Sequence, residues 1–261
     1  MNEEDNKIRG GVINIGSLFW EDKDKAIQDE ESIKLAEKRK KWRETYLNLD
    51  DKREKRHQLP IRYGRCSSSR KCTYTMVFSS LALNKESFGL VIPYKEEIDF
   101  SNYINFERQA QKLAEVEGIS KGDNRLRKHW GCIGIYINSH STKVKIDILN
   151  SHWESLRLTD GEYAKLDPAK IRFYELEKEG DFSLLDESYR LKSEVEINTD
   201  IDFLFFLYMK AEHRNKTIKT YPTPQEIAEE INRSGYKTYF EENKNSGITT
   251  FEDKDIEQFL R

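Results

Sequence analysis

Three groups of residues have types and spacings that could support chemistry. The first, which we call the glycine loop, consists of Ile15, Gly16, Ser17 and Leu18 and ends an apolar run at residues 11–15. Glycine at this point permits a tight turn or a close approach of the backbone to a ligand. Ser17 would act as a nucleophile only beside a base, and the sequence identifies none. The glycine loop is therefore interpreted as a binding loop.

The second group is the acidic end of a helix predicted over residues 105–117. Its apolar residues recur at helical spacing and form one stripe, Phe106, Ala110, Leu113 and Ala114. Glu117 follows Leu113 by one turn, so its carboxylate lies on the inward side, and Gly118 ends the helix. Burial would raise the pKa of this carboxylate and suit it to general acid/base catalysis. The alternative is a glutamate at the helix rim that has no catalytic role.

The third group, which we call the basic loop, covers residues 62–71. It combines cations and hydroxyls within ten residues, namely Arg62, Arg65, Ser67, Ser68, Ser69, Arg70 and Lys71. Guanidinium groups match phosphates and carboxylates, and serine hydroxyls can complete an anion site. The basic loop is therefore either an anion site, for a small ligand or a nucleic-acid phosphate, or a hairpin turn that faces solvent.

These groups must be positioned by a mixture of strands and helices. Strands are predicted at residues 11–15, 59–65, 73–78, 88–93, 130–137, 143–149 and 171–174. Helices are predicted at residues 105–117, 203–208, 223–235 and 253–260. Residues 21–57 are charge-dense and lack proline and glycine, so we expect one or two exposed helices with a solvated face.

Composition restricts the classes of function. The 261 residues include 44 Lys and Arg against 47 Asp and Glu, so the formal net charge of -3 gives no general attraction to nucleic acids or membranes. An acidic N-terminus does not fit a signal peptide, and the longest apolar run, at residues 203–209, is too short to span a bilayer. We expect a soluble, cytoplasmic protein without membrane contact. Scattered histidines and cysteines, and the absence of a phosphate-binding loop motif, lead us to expect no metal and no cofactor.

In this order, the glycine loop and the run at residues 113–118 resemble the gamma-glutamylcyclotransferase-like family. The resemblance covers residues 10–150, with Ile15 where the family usually has tyrosine and Ala114 where it often has aspartate. It implies an α+β fold with a mixed β-barrel-like core and packed helices. It also implies that the glycine loop binds a γ-glutamyl group while Glu117 acts as the acid/base.

The resemblance also suggests how the chain is organised. An α+β core domain is expected at residues 10–190, with residues 21–57 as a charged helical insertion, followed by a helical C-terminal subdomain at 191–261. Two other functions stay open. One is an accessory protein that binds phosphate or nucleic acid through the basic loop. The other is a non-catalytic subunit that docks a protein partner through residues 21–57 or through the C-terminal helices.

Overall fold

A computed structural model describes residues 7–20, 30–50, 56–67, 70–99, 103–119, 131–166, 183–215 and 220–261. The fold is α+β, as predicted. The strands are β1 (Lys7–Ile8), β2 (Gly10–Asn14), β3 (Arg56–Gln58), β4 (Ile61–Ser67), β5 (Thr73–Phe78), β6 (Phe88–Pro93), β7 (Ile98–Asp99), β8 (Gly131–Ile137) and β9 (Phe203–Met209). The helices are α1 (Glu30–Tyr46), α2 (Tyr103–Val116), α3 (Lys143–Leu166), α4 (Pro224–Ser234), α5 (Thr238–Asn245) and α6 (Asp253–Phe259). The strand predicted at residues 171–174 lies outside the described residues.

A five-stranded sheet of order β3-β6-β2-β9-β8 forms the centre of the fold. Only the β2–β9 pair is parallel, and the other three pairs of this sheet are antiparallel. A separate ribbon pairs β4 with β5, and a short ribbon pairs β1 with β7. Because β2 and β9 are parallel, their carboxyl ends lie at the same edge of the sheet.

Strand β9 corrects the helix predicted at residues 203–208. Its side chains point alternately to the two faces of the sheet, and both faces are covered. On one face Phe205 packs 4.9 Å from Phe106 of α2, and on the other Phe206 packs 5.1 Å from Phe78 of β5, measured between ring centroids. A strand covered on both faces is continuously apolar, so its sequence cannot be distinguished from a buried helix by periodicity.

Helix α3 corrects the strand predicted at residues 143–149. The apparent alternation of Val144, Ile146 and Ile148 does not follow burial, since the Val144 side chain is exposed. The buried residues are instead Leu149, Trp153 and Leu156, which recur at helical spacing. The helical period only becomes visible when the sequence is followed beyond residue 149.

Helix α1 corrects the expectation that residues 21–57 present only a solvated, charged face. Ala36 and Trp42 are buried, as are the guanidinium-bearing side chains of Arg39 and Arg43. The spacing of residues 36, 39 and 43 places them on one face of the helix, which packs against α2 and the turn at Ser17–Phe19. Helix α1, which makes up about half of the predicted insertion, therefore packs as part of the fold. Residues 21–29 and 51–55 lie outside the described residues.

The C-terminal region is partly as predicted. The Thr223 cap of α4 is confirmed, because the Thr223 hydroxyl accepts from the Glu226 N–H and the Glu226 carboxylate accepts from the Thr223 N–H. Gly235 ends that helix in a left-handed conformation, with φ +67°. The helical C-terminal subdomain predicted at residues 191–261 is helical from α4 onward, but β9 lies inside the central sheet.

The described strands form open sheets, and no closed barrel is found among them. One backbone link joins the ribbon of β4 and β5 to the chain beyond β9, since the Cys66 N–H donates to the Glu212 carbonyl and the Glu212 N–H donates to the Gly64 carbonyl. Within the described residues, no helix has the length and apolar character required to cross a membrane.

Candidate functional site

The glycine loop and Glu117 line one cavity of about 60 Å³ that is partly open to solvent. They are about a hundred residues apart in the sequence and come from the end of β2 and the end of α2. The rest of the lining is supplied by Ile13, Asn14, Arg39, Arg70, Thr75, Leu207, Met209 and Tyr239. The cavity therefore lies at the carboxyl ends of the parallel strands β2 and β9.

The glycine loop is shaped by contacts on both sides. The Gly16 N–H donates to the side-chain oxygen of Asn14 over 3.1 Å, which turns the chain as it leaves β2. A Cβ atom added at Gly16 would lie 2.9 Å from the hydroxyl oxygen of Tyr239, too close for a packed contact. That hydroxyl is itself fixed, because it accepts a hydrogen bond from the Met76 N–H. Glycine is thus required here by the close approach of Tyr239.

Glu117 follows directly after α2, and its backbone N–H still donates to the Leu113 carbonyl. Gly118 then reverses the chain with φ +78°, a conformation that glycine adopts without strain. The Glu117 carboxylate lies 3.5 Å from the guanidinium of Arg39, a distance typical of a loose ion pair. Burial raises the pKa of Glu117, and this effect exceeds the opposite effect of Arg39 and Arg70.

Two buried arginines of α1 support the site, and the sequence interpretation missed both. Arg39 donates from Nε to the Val116 carbonyl over 2.6 Å, so the guanidinium is held at the end of α2. Burial lowers the pKa of Arg39 to about 10, against the opposite effect of Glu117, and the side chain stays protonated at neutral pH. Arg43 donates to the Leu18 carbonyl over 2.5 Å and fixes the glycine loop. The sequence did offer one signal, because Arg39 and Arg43 have the helical spacing that places them on the same face as the apolar residue Ala36.

Arg70 joins the basic loop to the glycine loop. Its Nη2 donates to the Ser17 hydroxyl over 2.5 Å, and its Nη1 donates to the Ser67 hydroxyl over 3.3 Å. The guanidinium carbon lies 5.4 Å from the ring centroid of Tyr239, within range of a cation–π contact. Two groups that the sequence interpretation treated as separate sites therefore meet at one cavity.

The other described arginines of the basic loop lie elsewhere. Arg62 pairs with Glu252 over 2.5 Å, and Arg65 pairs with Glu212 over 3.2 Å. Neither arginine lines the cavity. Each is already matched by its own carboxylate, so the described part of the basic loop does not converge on a single anion. Ser68 and Ser69 lie outside the described residues, and binding of nucleic acid by this loop stays a prediction.

The charges and polar groups of the cavity define what it can bind. Among its described lining residues, Arg39 and Arg70 are cationic and Glu117 is anionic. Asn14 is 3% exposed, and its side-chain nitrogen has no hydrogen-bond partner among the described residues. Those residues contain no group of three or more histidine, cysteine or carboxylate side chains that could hold a metal.

The cavity thus offers a carboxylate with a raised pKa, two guanidinium groups and an amide donor within one small space. Such a set can bind a small ligand that carries both charges and can move a proton at that ligand. Comparison of the chain with protein-family models, with curated proteins and with solved structures found no match.

Proposed function

We propose that this protein is a gamma-glutamylcyclotransferase-like enzyme in which Glu117 is the general acid/base. One observation carries the proposal: Glu117 and the glycine loop, which the family resemblance assigns to one active site, line the same cavity. The pairing is supported by the low exposure of the Glu117 side chain, 13%, and by the fixed backbone of the loop. The roles of these residues come from the resemblance.

The proposed reaction closes a ring within the substrate. The α-amine of a γ-glutamyl amide attacks the γ-carbonyl carbon, a carbon–nitrogen bond forms, and the original amide bond breaks. Glu117 takes a proton from the α-ammonium group and delivers a proton to the leaving amine, so the products are 5-oxoproline and a free amine. A carboxylate with a raised pKa is suited to both transfers, because the proton donor and acceptor are then closer in strength.

Orientation accounts for the second part of the proposed catalysis. Ring closure depends on holding the amine against the carbonyl, and a fixed loop can supply that geometry. The Gly16 N–H is already bonded to Asn14, so we assign substrate contact to the following residues, Ser17 and Leu18. A cavity of about 60 Å³ admits only a few heavy atoms, which fits the charged end of such a substrate and leaves the departing amine on the open side.

The test is release of 5-oxoproline from γ-glutamyl amino acids, γ-glutamyl amines and glutathione. We expect Glu117→Gln to lower the turnover number by about 100-fold or more, because it removes the proton acceptor and keeps the shape. Glu115→Gln is the matched control, since Glu115 sits two residues earlier and pairs with Lys38 and Lys112, each over 3.1 Å, outside the cavity lining. The proposal fails if the wild-type protein releases no 5-oxoproline from any of these substrates, or if both variants lose activity equally.

A further inference from the structure

We propose that Cys66 and Cys72 form a reversible disulfide, with a low-molecular-weight disulfide such as oxidised glutathione as the oxidant. Cys66 lies near the end of β4 and Cys72 lies directly before β5. The turn between them carries Arg70, which lines the cavity, so oxidation of the pair would change the cavity wall. The disulfide makes no use of the γ-glutamyl reaction and stands beyond the proposed function.

The two thiols are already in contact. Strand pairing places Ser67 opposite Thr73, and the Cys72 N–H donates to the Ser67 carbonyl over 2.9 Å, so the chain folds back tightly at this point. A hydrogen bond joins the Cys66 and Cys72 side chains, and both cysteines are free thiols. Sulfur atoms in such contact need only a small movement to reach bonding distance.

The backbone of this turn is held in an uncommon conformation. Lys71 and Cys72 both have positive φ values, 52° and 67°, although neither is glycine. Residues with a Cβ atom seldom adopt this region, and strained residues of this kind concentrate at functional sites. Here the conformation accompanies the return of Cys72 to the side of Cys66.

Exposure distinguishes this pair from the third cysteine. Cys66 and Cys72 are partly exposed, so a small oxidant can reach them, whereas Cys132 in β8 is 0% exposed. Because a thiol reacts only where the oxidant has access to it, we expect exchange at the pair and none at Cys132 in the folded protein. Cys132 is thus an internal control within the same chain.

The exchange takes two steps and consumes one molecule of oxidised glutathione. Burial and the hydrogen bond with Cys72 raise the pKa of Cys66 to about 12, so Cys66 keeps its proton and we assign the first attack to Cys72. The Cys72 thiolate attacks one glutathione sulfur, forms a mixed disulfide and releases a glutathione thiolate. The Cys66 sulfur then attacks the Cys72 sulfur and displaces the second glutathione. The protons of both cysteines pass to the two molecules of reduced glutathione.

Disulfide formation would act on the cavity through Arg70. Its guanidinium donates to the hydroxyls of Ser17 and Ser67, so it links the turn to the glycine loop. A sulfur–sulfur bond of about 2.05 Å holds Cys72 closer to Cys66 than a hydrogen bond does, and we expect it to displace the turn residues that precede Cys72. Oxidation and the Arg70–Ser17 contact therefore oppose each other, and weakening one favours the other by linkage.

The full-length protein is equilibrated in glutathione buffers of graded composition, free thiols are trapped with N-ethylmaleimide in denaturant, and disulfides are identified by peptide mass spectrometry. We expect wild-type protein to form a Cys66–Cys72 disulfide that dithiothreitol reverses, with Cys132 recovered as a free thiol. Ser17→Ala should shift the midpoint by at least about threefold toward more reducing buffers, since the opposing contact is lost. The control Ser141→Ala removes a hydroxyl hydrogen bond of 2.7 Å to Asp202, before the start of β9, and should leave the midpoint unchanged.

Two outcomes overturn the disulfide itself: thiols that stay reduced in every buffer, and a mixed disulfide with glutathione that does not proceed to the Cys66–Cys72 bond. An unchanged midpoint in Ser17→Ala, or a shift toward more oxidising buffers, overturns the link to the cavity. If Ser17→Ala does not fold, Arg70→Gln removes the same contact and decides the same question. None of these measurements requires release of 5-oxoproline, so failure of the disulfide and failure of the proposed enzyme are distinguishable.

Discussion

Two largely buried arginine–glutamate pairs in this protein differ in how tightly they are held. Arg62 donates to Glu252 over 2.5 Å and also lies 4.6 Å from the ring centroid of Tyr221. Arg39 lies 3.5 Å from Glu117, and the latter also interacts with Arg70. Only the second pair lines the cavity at the end of β2 and β9. The first pair is closed by a short contact, whereas the second lies beside space that a ligand could occupy.

The comparison shows that burial alone does not mark a functional carboxylate. Burial raises the pKa of Glu252 to about 7, with Arg62 acting in the opposite direction, and burial also raises the pKa of Glu117. The direction of the shift is the same at both sites. The difference lies in the partner geometry and in the space beside the carboxylate, and these are what support a catalytic role for Glu117.

The largest expected effect comes from breaking the tight pair. Arg62→Gln should lower the free energy of unfolding at pH 8 by about 3 kcal/mol, because it leaves the Glu252 carboxylate charged and buried without an opposite charge. At pH 5 the loss should be smaller, since Glu252 is then protonated in the folded protein. Urea unfolding at the two pH values measures both quantities.

Arg65→Gln on the same strand is the control for that prediction. Its partner Glu212 has 37% of its side chain exposed, so solvent screens the pair and the expected loss is less than about 1 kcal/mol. Equal losses for Arg62→Gln and Arg65→Gln would contradict the distinction between a buried and a screened pair.

A second prediction concerns the wall of the cavity. Gly16→Ala should lower the free energy of unfolding by about 2 kcal/mol, because the new methyl group meets the Tyr239 hydroxyl at 2.9 Å. Removing that hydroxyl makes room, so Tyr239→Phe in the same chain should recover part of the loss. A double-mutant cycle by thermal unfolding measures this coupling. Strictly additive losses would mean that the two groups are not in contact.

The smallest expected effect is at Glu226, a carboxylate whose pKa is lowered rather than raised. The Thr223 N–H, which donates to the Glu226 carboxylate, lowers the pKa of that group. Its stabilisation is therefore present above the usual value of 4.5 and is lost as pH falls through the lower folded value. Glu226→Gln keeps the cap and removes the charge.

Because 42% of the Glu226 side chain is exposed, solvent screening keeps this contribution to about 0.5 kcal/mol at pH 7. We expect the stability difference between wild-type protein and Glu226→Gln to vanish at low pH, as measured by urea unfolding across the range. A difference that grows as pH falls would contradict the sign of the shift. Glu226 would then behave like Glu117 and Glu252, whose pKa values are raised.

Strands and helices were predictable where a short stretch of sequence was enough to identify them. Strands β5, β6 and β8 are short runs rich in β-branched and aromatic residues, and the Thr223 capping box alone defines the start of α4. Strand β9 and helix α3 were not predictable from short windows. In β9 the missing information was that ribbon β4–β5 covers the face opposite α2.

The candidate site was predictable only in part for the same reason. Family resemblance singled out the glycine loop and Glu117, but no local pattern places Tyr239 or Arg39 beside them. Tyr239 reaches the cavity from α5, more than two hundred residues after Gly16. The inward position of Arg39 depends on the packing of α1 against α2, which the charge density of that segment conceals.

The pairing of β2 with β9 has a consequence for how the protein acquires its structure. Gly10 lies opposite Phe203, so these two neighbouring inner strands are separated by 193 positions of a chain of 261 residues. On a ribosome, β2 emerges early and must wait for β9 before its exposed edge is covered. Contacts so distant in sequence slow folding. The cavity at the ends of these strands therefore forms late, after most of the chain has been synthesised.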